Sequence, residues 1–249
     1  MKAILMAAGI GSRMSGFCVC PKCTLDVDGM PLIARTVDML LDAGIEVAVV
    51  TGYMYWEVEA CLSGRDVRIY NNPFYRVTNS MASLWFARDF IGDDDLILAN
   101  ADVYWDRDIL DSLMSDDRKA VMLGDESRAE KGDYFFRVVD DRITMYGKEL
   151  THEERTTEYV GIAKLDGSFV PEFARHLSRL VEQEKYGLWW ENVLYENLSI
   201  APVFVRDISQ YFWAEIDSPE DYERIQAYVR TGKMECKYGP IGDSASPSP

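Results

Sequence analysis

Lys2-Ala3-Ile4-Leu5-Met6-Ala7-Ala8-Gly9-Ile10-Gly11-Ser12-Arg13-Met14 is the stretch that decides the fold. From Ala3 to Ala8 every residue is apolar, and the run stops at a glycine. So short an unbroken apolar run reads as a strand buried on both faces, as in a parallel sheet covered by helices. Gly9 and Gly11 then allow backbone conformations that turn N–H groups inward as a nest for anions. Arg13 offers a forked, permanently charged donor, and Lys22, after Pro21, adds a mobile point charge. The spacing is neither the G-x-G-x-x-G of dinucleotide folds nor the G-K-S/T ending of a P-loop.

Working outward, Pro31 to Ala43 carries Leu32, Ile33, Thr36, Val37, Leu40 and Leu41 at helical spacing, with Gly44 as a stop. Val47 to Thr51 and Val67 to Asn71 read as strands, with a helix from Trp56 to Leu62 between them. A helix is predicted over Asn79 to Phe90, a strand over Leu96 to Asn100, a helix over Ile109 to Met114 and a strand over Lys119 to Gly124. This alternation predicts an α/β fold with a doubly wound, mostly parallel, Rossmann-like sheet. Ligands in such sheets sit at the carboxyl ends of the strands.

Beyond residue 125 the pattern changes. Tyr134 to Val139 and Arg142 to Tyr146 predict a hairpin turning at Asp140-Asp141. Tyr159 to Leu165 reads as a strand, Phe169 to Glu184 as a helix and Leu188 to Leu198 as a short helix. Ala201 to Val205 and Tyr211 to Ile216 read as strands. Ser218 is a favoured N-cap, and Pro219 a favoured first residue, for a last helix ending at Arg230. One domain over residues 1–232, with a small β-rich inserted subregion at 125–215, is the simplest organisation. The Gly/Ser/Pro-rich residues 237–249 are expected to be disordered.

The chain has 249 residues, 48% of them hydrophobic, and a formal net charge of −16. That charge argues against nucleic-acid and membrane partners, which want basic surfaces. No apolar run approaches the ~20 residues of a membrane span, and no signal peptide is read, so the expected location is cytoplasmic. Of five cysteines, Cys18, Cys20 and Cys23 cluster, but they lack a fourth ligand for zinc. Reduced thiols in and near a loop are expected.

Two acids stand out. The apolar run Leu96–Ala99 leads through Asn100-Ala101 to Asp102, at the end of a strand that points into the ligand crevice. Far downstream, Glu215-Ile216-Asp217 precedes the last helix. Mg²⁺ takes oxygen ligands, commonly one or two carboxylates plus substrate phosphates.

Taken together, Ala7-Ala8-Gly9-x-Gly11-Ser12-Arg13-Met14, Pro21-Lys22-x-x-Leu25 and Gly29-x-Pro31-Leu32 resemble the signature of the sugar-phosphate nucleotidylyltransferase superfamily. The resemblance implies a nucleotide-diphospho-sugar transferase-like fold, with Lys22 and Arg13 as catalytic residues. It further implies nucleotide binding by Ala7, Ala8, Gly9, Gly11, Ser12 and Arg13, and Mg²⁺ held by Asp102 and Asp217. Relatives often carry Asp-x-Asp on the metal strand; Asn100-Ala101-Asp102 departs from that and loads more onto Asp217. Asn79-Ser80-Met81-Ala82-Ser83-Leu84-Trp85-Phe86-Ala87-Arg88-Asp89 and Trp190-Glu191-Asn192-Val193 are similar to bacterial CTP:phosphocholine and aminoethylphosphonate cytidylyltransferases. That similarity covers most of residues 1–230 and implies that Asn79 and Ser83 help hold the nucleoside.

A quaternary ammonium, as in a phosphocholine-like acceptor, wants aromatic faces and nearby carboxylates, and Trp190, Glu191, Glu215, Tyr134 and Tyr159 are the candidates. The expected partners are therefore CTP and a small phosphorylated amine or phosphonate. A homodimer is compatible with the sequence and not specified by it. Two rivals stay open: a sugar-1-phosphate nucleotidylyltransferase, and a non-catalytic nucleotide-binding regulatory protein.

Overall fold

The computed structural model describes residues 1–11, 16–130, 132–196, 198 and 201–238, the last six as helical backbone. In chain order the elements are β1 (Lys2–Ala7), β2 (Asp26–Val27), β3 (Met30–Pro31), α1 (Leu32–Asp42), β4 (Glu46–Thr51), α2 (Tyr55–Cys61) and β5 (Val67–Asn71). Next come α3 (Ser80–Phe86), α4 (Arg88–Ile91), β6 (Leu96–Asn100), β7 (Val103–Tyr104), α5 (Arg107–Met114) and β8 (Ala120–Asp125). The rest are β9 (Phe135–Val139), β10 (Arg142–Gly147), β11 (Thr157–Leu165), α6 (Val170–Glu182), α7 (Asn192–Tyr195), β12 (Phe204–Asp207), β13 (Ala214–Glu215) and α8 (Pro219–Tyr238).

The main sheet runs β5-β4-β1-β6-β11-β8-β12-β10-β9. The first four strands are mutually parallel. β11 enters antiparallel between β6 and β8. The parallel block thus belongs to the first half of the chain; the second half adds antiparallel β9, β10 and β11, and β12 parallel to β8. From β1 the chain winds outward to β4 and β5, then returns to β6 on β1's other side, which makes a switch point where a crevice opens.

The unbroken apolar runs are explained by burial on both faces. Ile4 and Met6 of β1, Ala48 and Val50 of β4, and Leu96 and Leu98 of β6 enter one core with Met81 and Leu84 of α3. Ala3, Leu5 and Ala7, Val47 and Val49, and Ile97 and Ala99 enter the other, with Ile33, Val37 and Leu40 of α1. A period of two with both phases apolar is what a doubly covered sheet demands.

The β9–β10 hairpin turns at Asp140 and Asp141, both at positive φ (50° and 59°), the backbone of the turn that suits strand twist. Several expected elements differ. The helix expected over 79–90 breaks at Ala87, where the Arg88 guanidinium stacks 3.6 Å over the Trp85 ring and donates to the Trp85 carbonyl. The helix expected over 188–198 shrinks to α7, because the preceding segment docks on the start of α3. There the Asn79 and Met81 N–H groups donate to the Tyr186 and Leu188 carbonyls, and the Trp190 N–H donates to Ser80 Oγ. The strand expected over 211–216 is only β13, as long as its partner β7, and the one expected over 201–205 shifts to β12.

The last helix passes Arg230 and continues to Tyr238, so residues 237 and 238 are helical; 239–249 lie outside the described residues. A single Gly232 costs a helix only about 1 kcal/mol, and the first proline after it in sequence is Pro240. The capping expectation is met: Ser218 Oγ accepts from the Asp221 N–H, and Asp221 Oδ2 accepts from the Ser218 N–H at 3.0 Å, a reciprocal cap.

The cysteine expectation needs correction: Cys18 and Cys20 form a disulfide, their Cα atoms 5.5 Å apart in the loop before Lys22, well within bridging range. Cys23 is a free, buried thiol that burial holds protonated.

Candidate active site

A cavity of about 490 Å³ opens at the carboxyl ends of β1 and β6. One end is acidic and cationic. Asp102 follows β6, and the two-residue ladder of β7 on β13 brings the distant Glu215 and Asp217 beside it. In that ladder Val103 pairs with Glu215, and the Ile216 N–H donates to the Asp102 carbonyl at 2.9 Å. Carboxylate oxygens of Asp102, Glu215 and Asp217 lie within 4.8 Å of one another. Lys22 projects from a short 3₁₀ turn at Lys22–Thr24. Its Nζ donates to Asp217 Oδ1 and stands 3.5 Å from Asp102 Oδ2.

Burial lowers the Lys22 pKa, but Asp102, Asp217 and Glu215 outweigh it and the net effect is upward, so the ammonium stays charged. Burial raises the Asp102 pKa; Lys22 opposes this, and neighbouring Asp217 adds to it. The donor set fits a hard divalent cation: three carboxylates converge, and a cation, Lys22, already lies among them. Glu215, expected at the acceptor, shares this cluster.

Ala7, Ala8, Gly9 and Gly11 line the same end. Gly11 has φ +64°, and a Cβ there would fall 2.9 Å from Lys22 Cγ, so the glycine serves both the turn and the passage of the lysine stem. Ser12 and Arg13 lie outside the described residues.

Asn79 and Ser83 line the next stretch of wall. Asn79 Oδ1 caps α3 by accepting from the Ser80 N–H at 2.8 Å. Ser83 is buried, and its Oγ accepts from Asn72 Nδ2 at 3.0 Å. Asn72 also donates to Thr78 and accepts from the Phe74 N–H. Asn72, Tyr75 and Thr78 therefore belong to this wall, although nothing in their spacing marks them in the sequence.

The far end is aromatic. Tyr134 and Tyr159 line it, joined by Tyr195 and Trp189. Tyr134 contacts the Trp189 ring edgewise at 5.5 Å and stacks with Tyr195 at 6.1 Å. Lys148 Nζ lies 5.6 Å over Trp189 and 2.7 Å from Asp133 at the rim. Glu191 also lines the cavity, 6% exposed, and burial pushes its carboxyl up to about 7 against the pull of Tyr159 and Asn100.

Trp190 corrects the sequence reading. It is fully buried behind the wall, its indole N–H donating to Asn100 Oδ1 at 3.0 Å, and its neighbour Trp189 is the one in the cavity. In an adjacent tryptophan pair the sequence gives no phase without the backbone turn at Trp189–Asn192. Beside Asn100, β11 bulges between Tyr159 and Ala163. Gly161, at φ +88°, brings the strand so close that a Cβ would meet Asn100 Nδ2 at 3.0 Å.

The model for the MobA-like NTP transferase domain matches residues 3–190. The chain belongs to the MobA-like NTP transferase family. This NTP transferase is 37% identical to the choline-phosphate cytidylyltransferase of Haemophilus influenzae over 111 residues, 44% of this chain and 47% of that protein. It is 25% identical to the 2-aminoethylphosphonate cytidylyltransferase of Lancefieldella rimae over 229 residues, 87% of this chain and 88% of that one. Among solved structures, the CTP:phosphocholine cytidylyltransferase from Streptococcus pneumoniae matches with a TM-score of 0.73 at 21% identity, covering 92% of this chain and 98% of that one. The expected fold class and enzyme class, a nucleotidyltransferase, stand on these findings. Among the described residues, no helix of this NTP transferase is long and apolar enough to cross a membrane.

Proposed function

We propose that this nucleotidyltransferase moves CMP from CTP to a small amine-bearing phosphate or phosphonate. The observation that carries the reading is a single cavity with two chemistries: Lys22 among three carboxylates at one end, tyrosines and Trp189 around buried Glu191 at the other. A phosphorylated amine has the matching polarity, an anionic head and a cationic tail.

In this reaction an acceptor oxygen forms a bond to the α-phosphorus of CTP. The bond from that phosphorus to the β-phosphate oxygen breaks, and pyrophosphate leaves. No covalent enzyme intermediate is needed; catalysis is positioning plus electrostatics. Lys22 neutralises charge near the α-phosphate and the attacking oxygen. Backbone N–H groups of the Gly9–Gly11 loop, with Arg13, hold the β- and γ-phosphates. Asn79 and Ser83 contribute to the nucleoside wall. Asp102 and Asp217, with Glu215, would hold Mg²⁺, which would supply charge neutralisation to the phosphates. Tyr134, Tyr159, Trp189 and Glu191 receive the amine through ring faces and the carboxylate.

A sugar phosphate is the rival acceptor, and the density of rings over hydrogen-bonding amides at the far end favours the amine. The test is pyrophosphate release with Mg²⁺, pairing CTP, UTP, GTP and ATP with phosphocholine, 2-aminoethylphosphonate and glucose-1-phosphate. Release with CTP and an amine acceptor is expected. Release with a sugar phosphate alone would overturn the acceptor assignment, and silence in every pairing would favour the non-catalytic reading.

A further inference from the structure

Three of the oxygens at the aromatic end share an unusual state. Among the described residues, Glu191 Oε2, the Tyr159 hydroxyl and the Tyr195 hydroxyl are each buried with no hydrogen-bond partner. Their residues are 6%, 8% and 3% exposed, and all three line the cavity. The Tyr159 hydroxyl approaches Glu191 and the Tyr195 hydroxyl approaches Tyr134, near enough for a weak polar interaction but without a well-formed hydrogen bond. Glu191 and Tyr195 both act electrostatically on Tyr159, and all three residues line the same end of one cavity.

Native interiors rarely leave so many adjacent polar atoms unsatisfied, and such a group is a place where something else binds. An ionised carboxylate only accepts hydrogen bonds, and a tyrosine hydroxyl can accept. Three such acceptors at one aromatic end of the cavity match a cation that carries three N–H donors. A primary ammonium has three. A trimethylammonium has none: it would satisfy the ring faces and the charge of Glu191, but it would offer no hydrogen bond to the three oxygens.

We infer that the acceptor of this enzyme carries a primary ammonium group, read by hydrogen bonds to Glu191, Tyr159 and Tyr195, and that quaternary amines are discriminated against. This rests on the cytidylyl-transfer reading above and narrows its acceptor. Sites built to hydrogen-bond a substrate N–H reject analogues that lack it far more strongly than apolar pockets reject an added methyl.

The experiment is a methylation series. With CTP and Mg²⁺, kcat/KM is measured for phosphoethanolamine and for its mono-, di- and trimethylated forms, the last being phosphocholine. The expected result is a fall of about tenfold for each of the three N–H groups lost, about a thousandfold across the series. Tyr159→Phe and Tyr195→Phe should each lower kcat/KM for phosphoethanolamine more than for phosphocholine, narrowing the ratio by about tenfold. Phosphocholine used as well as, or better than, phosphoethanolamine would overturn the inference and leave cytidylyl transfer standing. An unchanged ratio in both Phe variants would also overturn it, because the hydroxyls would then not be reading the N–H groups. No pyrophosphate from any member of the series would overturn the transfer reading, and this inference with it.

Discussion

Lys22 Nζ stands 3.5 Å from Asp102 Oδ2. With Asp217 hydrogen-bonded to the same ammonium, the lysine holds together a cluster of acids that would otherwise repel. Lys22→Met removes that cation from among three carboxylates, and like charges in a half-buried site disfavour the fold. The variant is expected to melt several degrees lower than wild type in EDTA and to regain most of the loss in millimolar Mg²⁺, while wild type responds far less. Differential scanning calorimetry reads this directly. A melting temperature indifferent to Mg²⁺ would show that the three acids do not take up a cation. In turnover the same variant should lose about 10²–10³ in kcat, the usual effect of removing one preorganised electrostatic contact.

Gly11→Ala tests the loop without touching a charge. The new Cβ would sit at φ +64° and 2.9 Å from Lys22 Cγ. The left-handed backbone costs an alanine about 1–2 kcal/mol, and the lysine stem must move. The expected outcome is a modest fall in melting temperature, on the order of 2–8 °C, with kcat/KM down at least about tenfold. Unaltered kcat/KM would mean that the position of the Lys22 stem is not critical.

What the sequence disclosed follows from which constraints are local. The β1 run and the glycines after it are written in adjacent residues, and so were legible. Asp102 was legible because it follows an apolar run, and Asp217 because it stands just before the last helix. That Glu215 sits with them depends on the β7–β13 ladder, a pairing of two residues on each side that leaves no periodic trace. The breaks at Ala87 and around Trp189 come from a stacked guanidinium and from backbone hydrogen bonds to α3, tertiary forces that override helical pattern. Asn72, a buried amide wired to Thr78 and Ser83, looks in sequence like any loop asparagine.

The two adjacent tryptophans should separate cleanly. Trp190→Phe keeps the ring but removes the N–H given to Asn100, leaving that oxygen short of a donor. A cost of about 1–2 kcal/mol is expected, seen as a lower urea midpoint. Trp189→Ala, at the cavity rim and 39% exposed, should barely shift the midpoint. It should instead raise KM for the amine acceptor several-fold to about thirtyfold, the range of one cation–π contact. The reverse pattern would return Trp190 to the acceptor pocket.

Glu191 makes stability and acceptor binding depend on pH in opposite senses. Burial raises its pKa from the ordinary 4.5 to about 7. Between those values the folded protein retains a proton that the unfolded chain has released, so stability falls as pH rises through this window. The contribution is fully present below about pH 4.5 and lost above about pH 7, a loss on the order of 3 kcal/mol. Glu191→Gln cannot ionise, so it should melt higher than wild type at pH 8, with the gap closing by pH 5. Acceptor binding runs the other way. An ammonium needs the ionised carboxylate, so KM for an amine acceptor should rise as pH falls below about 7 in wild type and stay flat in Glu191→Gln. Because a bound ammonium favours ionisation, acceptor binding at pH 6 should release a proton, which calorimetry in buffers of different ionisation enthalpy would detect. Binding without proton release at that pH would mean that the amine does not meet Glu191.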